Sequence, residues 1–160
     1  MTKEEHILDT IQHKKYVLEA CEKLLQLLFQ EGRYIESETL ANRCLVHDNS
    51  KLEKEEMNNF VELDNSRIGM IDSKTLMTDK EKSMIMLHWK HNRHHPEHFE
   101  DYHEMNEVDI MEMCCDWYAR SLQFKTAFIP FIEDRQEKRF KFDDAFYKRV
   151  RKYCDFLDRD

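Results

Sequence analysis

The sequence predicts an all-α protein, a single-domain bundle of about five to seven helices over residues 1–160. Three observations carry that reading. Two glycines and two prolines stand in 160 residues, where average usage of about 7% and 5% would give roughly eleven and eight. Sheets need tight turns, and tight turns lean on those two residues. Apolar side chains recur at helical rather than alternating spacing along most of the chain. Finally, 160 residues at 41% hydrophobic supply one core of ordinary domain size, about 100–200 residues.

The first helix is expected from Lys3 to Gln30, where Leu8, Ile11, Val17, Cys21, Leu24 and Leu28 repeat at helical intervals and Gly32 is placed to end it. A second is expected from Ser37 to His47 and a third, rich in Lys and Glu, over Lys51–Leu63. Asp64–Met77 mixes Asn, Ser, Gly and Asp and reads as a loop. Thr78 with Glu81 three positions on is a capping box for a fourth helix, which Pro96 should stop near His95. A fifth should run from Asn106 to Ile129, where Pro130 interrupts, and Phe142–Leu157 reads as a final amphipathic helix.

Composition removes several classes of function. With 36% charged residues and a mean hydropathy of −0.82, no window approaches the roughly 18 uncharged apolar residues of a spanning helix. Met1–Thr10 carries three acids and no apolar run, unlike a signal peptide. A cytoplasmic protein without membrane partners is expected. The net charge of −8, with no Lys/Arg run, makes nucleic acid an unexpected partner; homo-oligomer formation stays open. Five cysteines without a C-x-x-C pair suggest buried thiols in a reducing compartment rather than disulfides or a zinc ribbon.

The chemistry concentrates in histidine. Six of nine fall within His88–His103: His88, His91, His94, His95, His98 and His103. Neutral imidazole is the commonest transition-metal ligand. The series 84, 88, 91, 95 and 87, 91, 94, 98 each follow one helical stripe, so His91, with His94 or His95, is the expected ligand set, and His98 and His103 are expected at the surface. His13 lies on a stripe otherwise apolar (Val17, Ala20, Leu24), where an imidazole is either a satisfied core group or a ligand. His47 continues the stripe of Leu40 and Cys44 and is followed by Asp48, which a helix cap would also explain. Asp116 is the one charge in Met113–Ala119, and a buried carboxylate there needs a cation, a metal or several donors. A thiolate-free N and O set of this kind suits Mn, Fe, Co or Zn, one or two ions, with Mg also compatible.

In this order the residues resemble the HD-domain superfamily of metal-dependent phosphohydrolases. The pattern is His13, then His47-Asp48, then His91 with His94 and His95, then Asp116, across most of residues 11–121. His47-Asp48-Asn49-Ser50-Lys51 is similar to the HD-x-x-K form of branches that degrade cyclic dinucleotides, and His94-His95 looks like their later histidine pair. Small phage and bacterial proteins of unassigned function with H-D-x-S-K and N-x-H-H signatures look closer still. The Gly-Tyr-Pro segment of the cyclic-dinucleotide branch is missing, which argues against that substrate. The resemblance implies an HD-like bundle in which metal held by His13, His47, Asp48, His91, His94, His95 and Asp116 hydrolyses a small phosphate substrate, a nucleotide by preference.

Asp48 would bridge the ions and Lys51 would neutralise a phosphate. Glu112, one turn before Asp116, would orient a histidine or a water. Asn92 and Arg93, standing among the ligands, would contact phosphate or sugar. Trp89 and Trp117 would stack a base or pack the core. Two further readings keep the same residues: an HD-type di-iron protein that activates oxygen, and a metal-stabilised module that binds nucleotides without cleaving them.

Overall fold

In the computed structural model, which describes residues 1–66 and 78–159, helix α1 (Lys3–Gln30) is the axis on which the other elements pack. Thr2 and Glu5 close a capping box at its start. At its end Gly32 takes φ 71, and the Arg33 N–H returns to the Leu28 carbonyl at 2.9 Å, a left-handed stop that glycine adopts without a Cβ penalty. Between these ends one face is buried throughout: His6, Thr10, His13, Val17, Ala20, Cys21, Leu24 and Leu28. The lower part of that stripe is apolar core. The upper part is polar.

Helix α2 (Tyr34–Val46) lies back along α1, and α5 (Glu107–Phe124) runs against both. Every residue of α5 from Val108 to Trp117 is buried, as expected of a helix wrapped on all sides. Asp109 survives there because Arg43 (3.0 Å) and Arg93 (3.0 Å) meet its carboxylate. Helix α7 (Asp144–Leu157) closes the core with Phe146, Val150, Tyr153, Cys154 and Leu157. Helices α3 (Lys54–Ser66), α4 (Asp79–His91) and α6 (Phe128–Arg135) complete seven α-helices among the described residues, with no strand among them. No helix of the described chain is long and apolar enough to cross a membrane. All five cysteines are buried free thiols.

The first helix has the expected bounds; several others shift. Helix α2 starts at Tyr34, and His47 has already left helical geometry (φ −49, ψ 129). Residues 49–52 form a separate 3-10 turn before α3, which then runs through Ser66. Residues 67–77 of the expected loop lie outside the described residues. Helix α4 stops at His91, before the expected His95, because the Asn92 side chain folds back onto the His88 carbonyl (2.8 Å) and the Ser50 hydroxyl (2.8 Å). Helix α5 ends at Phe124 on a left-handed Lys125, and Pro130 sits in the first turn of α6, where its missing N–H has no helical acceptor to lose. Asp143 caps α7, which begins at Asp144, two residues after the expected start at Phe142.

Candidate metal centre

Five segments bring their polar residues to one interior point. Helix α1 contributes His13, the α2 exit His47 and Asp48, α4 His88, the following loop His94 and His95, and α5 Glu112 and Asp116. Three sets of ligand atoms lie mutually within 4.8 Å: His13, His47, Asp48 and Asp116; Asp48, His88, His94 and His95; and His47, His94 and Glu112. Asp48 belongs to the first two. Its backbone takes φ 55, ψ 17, a left-handed conformation that Asp tolerates better than most residues, and this turn swings its carboxylate inward to 1% exposure. One oxygen, Oδ2, faces His47 Nε2 (3.6 Å) and His13 Nε2 (3.8 Å); the other, Oδ1, faces His88 Nε2 (3.4 Å) and His94 Nε2 (3.5 Å).

The outer nitrogens of these rings are already used. His13 Nδ1 meets Gln123 Oε1 at 2.9 Å, and His88 Nδ1 meets Glu56 Oε2 at 2.9 Å. His47 and His94 both turn Nδ1 to Glu112 Oε1, at 2.9 and 3.2 Å. An acceptor at Nδ1 favours the proton there, which in a neutral ring leaves a lone pair at Nε2; His88 Nε2 instead meets His95 Nε2 at 3.0 Å. Those lone pairs point inward: Nε2 of His13, His47 and His94 and Oδ1 of Asp48 are buried without a hydrogen bond. His13 Nε2 stands only 2.8 Å from Asp116 Oδ1, yet the pair lacks hydrogen-bond alignment. Close approach of these four unbonded atoms is the arrangement of ligands around a common cation. The residues present therefore fit one or two divalent ions.

Electrostatics agree with that fit. Burial pushes the His13, His88 and His95 imidazoles down, and His95 well below its ordinary range, which keeps them neutral and able to ligate. Burial opposes ionisation of Asp48 and Asp116 too, but the surrounding imidazoles, and Lys51 beside Asp48, hold both well below the usual carboxylate range. At Glu112 burial is outweighed by the His47 and His94 hydrogen bonds, which bring it down to about 2. His47 is the exception among the rings. Burial works downward, but Asp48, Asp116 and Glu112 outweigh it and push the ring up to about 10. Three carboxylates around one point demand positive charge.

The sequence-predicted residues divide into those at the centre and those turned away. His13, His47, Asp48, His94, His95 and Asp116 converge. His91 does not: its side chain is 40% exposed and its Nδ1 bonds Glu56 Oε1 at 2.5 Å, behind the ligands. His88 takes the inward place that the helical stripes had given to His91, since those stripes run through a helix that ends at His91. Glu112 forms a third close group with His47 and His94, through their outer nitrogens and with Arg43 on its other oxygen, an arrangement that suits a positioning residue. Asn92 shapes the α4 exit. Arg93 pairs with Asp109 and stacks over Phe99 at 5.1 Å, away from the centre. Lys51 is nearly buried, 2.6 Å from Asp48 Oδ2. His98 bonds the Trp89 carbonyl and His103 is exposed.

A cavity of about 310 Å³ opens onto the centre at His88, His95 and Asp116. Its walls include Lys51, Trp89, Trp117, Arg120, Arg135 and Arg139. The three arginines, like Glu56 and Gln123 behind the ligands, carry no local sequence signal. Only the folded chain gathers them from α5, α6 and the π turn at residues 136–140.

No curated protein and no solved structure matches the chain. Over residues 2–155 it matches a family of unknown function, DUF5662, and it belongs to that family.

Proposed function

We propose that the protein is a metal-dependent phosphohydrolase of the HD-domain type, acting on a nucleotide or a related small phosphate ester. One observation carries the reading: the two oxygens of Asp48 face two separate sets of inward-pointing imidazole nitrogens. His13, His47, Asp48 and Asp116 would hold one ion and Asp48, His88, His94 and His95 the other. Bound divalent ions supply an acidified water and positive charge for phosphate oxygens. The chain's own residues supply the rest. Lys51, on the cavity wall beside Asp48, is a cation aimed where a phosphate oxygen would rest. Trp89 and Trp117 offer apolar faces for the organic part of the substrate.

The nitrogen-rich set of His88, His94 and His95 also suits iron, which favours oxygen activation as a second reading. Elemental analysis of the purified protein, followed by a phosphate-release screen over nucleotides with Mn, Co, Fe and Mg, tests the proposal. Bound metal with phosphate release supports it. Oxygen consumption without phosphate release supports the oxygenase instead, and metal-dependent nucleotide binding with neither activity makes the chain a binding module.

A further inference from the structure

The chain carries a net charge of −8, yet the described residues lining the cavity beside the metal centre include Lys51, Arg120, Arg135 and Arg139, with Asp116 as their carboxylate. Two of these cations are already matched. Lys51 pairs with Asp48, and Arg139 with Glu97 at 2.5 Å. The other two are not. Arg120 reaches the Gln123 side-chain oxygen at 3.1 Å, and Arg135 lies over the Phe131 ring at 5.1 Å; neither meets a described carboxylate.

A single phosphate at the centre would already face two ions and Lys51. Arg120 and Arg135 are therefore surplus to one phosphate, and a planar guanidinium is the side chain best shaped to grip another. The same wall carries aromatic rings, with Trp117 stacked on Phe140 at 5.1 Å and 27°. At about 310 Å³ the space stands at the small end of ligand pockets, about 300–1,000 Å³, a size that suits one nucleotide.

We infer that this cavity selects a mononucleotide bearing more than one phosphate group, with Arg120 and Arg135 as the specificity-determining residues for the phosphate that is not at the metal. The inference rests on the phosphohydrolase reading for the place of the first phosphate. It is tested by calorimetric titration of the purified, metal-loaded protein with methylene-bridged diphosphates of adenosine and uridine, the matching monophosphates, and methylene-bridged inorganic diphosphate.

One nucleoside diphosphate should bind about tenfold more tightly than its monophosphate, the fold-change of one charge-assisted hydrogen bond. It should also bind more tightly than the inorganic diphosphate, which lacks the ring. Arg135→Gln, which breaks no ion pair to a described residue, should bring the ratio close to one with monophosphate binding unchanged; Arg120→Gln should also lower it. Equal binding of mono- and diphosphates by the wild type, equal weakening of both by Arg135→Gln, or no nucleotide binding would overturn the assignment. Because binding is read without turnover, diphosphate preference with no phosphate release from any nucleotide supports the cavity assignment and removes the hydrolase.

Discussion

His47 and His94 lie with ring centroids 4.2 Å apart and direct their Nδ1 atoms to the same oxygen of Glu112. One carboxylate thus sets the orientation of two ligands that belong to different halves of the centre, His47 to the set with Asp116 and His94 to the set with His88. Arg43, 2.5 Å from the other oxygen, holds that carboxylate in place.

Glu112→Ala should therefore weaken binding of both ions together, by about 10–100-fold, the usual cost of losing an outer-shell partner. Glu112→Gln keeps an acceptor oxygen and should fall between the variant and the wild type. Competition against a chromophoric chelator measures this, and unchanged affinity in the alanine variant would show that the rings are held by something else.

Removing metal should lower the melting temperature, since Asp48 and Asp116 then share the interior without their cations. With free metal at about 100 times its dissociation constant the linkage is about 2.7 kcal/mol, or roughly 5–10 °C for a chain of this size. A melt that does not move after demonstrated stripping would contradict buried ligands.

His88→Ala should cost the second ion and leave the first, halving the bound metal of a two-ion protein. His91→Ala should leave stoichiometry unchanged, because that ring reaches the centre only through Glu56. Elemental analysis of the two variants decides, and loss of metal on changing His91 alone would reverse the assignment of α4.

A pH effect is expected far from the centre. The exposed His103 bridges Asp143, the cap of α7, and Asp101, and these hydrogen bonds raise its pKa above the ordinary value. A raised histidine adds stability that is fully present below its unfolded value of about 6.5 and is lost as pH rises through the folded one. The melting difference between wild type and His103→Gln should be fullest below about pH 6.5 and shrink as the pH rises above it. A difference that persists at the higher pH would point to packing against Tyr102 and Phe146 instead.

Much of the centre was readable before folding, because His13 continues the apolar stripe of Val17, Ala20 and Leu24 and Asp116 is the one charge in Met113–Ala119, so burial and unmet polarity were both visible locally. His47 was reached by the same logic, although the chain has left the helix there and a left-handed Asp48 does the turning. The reading of α4 misplaced His91 because the helix ends where Asn92 bonds Ser50, a partner 42 positions away. Arg93 looked functional by adjacency to the ligands; its role is set by Asp109, on another helix. Arg135 and Arg139 stand one turn apart where α6 runs into the π turn, but they reach Arg120 only through tertiary packing.

The two halves of the centre differ in how much of the chain each one needs. The set of Asp48, His88, His94 and His95 closes within residues 48–95, whereas His13, His47, Asp48 and Asp116 require α1 and α5 to have docked along their length. Loop-closure entropy grows with the separation joined, so the shorter set can form in a chain whose core is still incomplete. Occupancy of the longer set then reports finished tertiary assembly. An ion held between His13 and Asp116 would act as a late clasp on the bundle, and metal trapped only at the histidine-rich half would mark a chain whose assembly is incomplete.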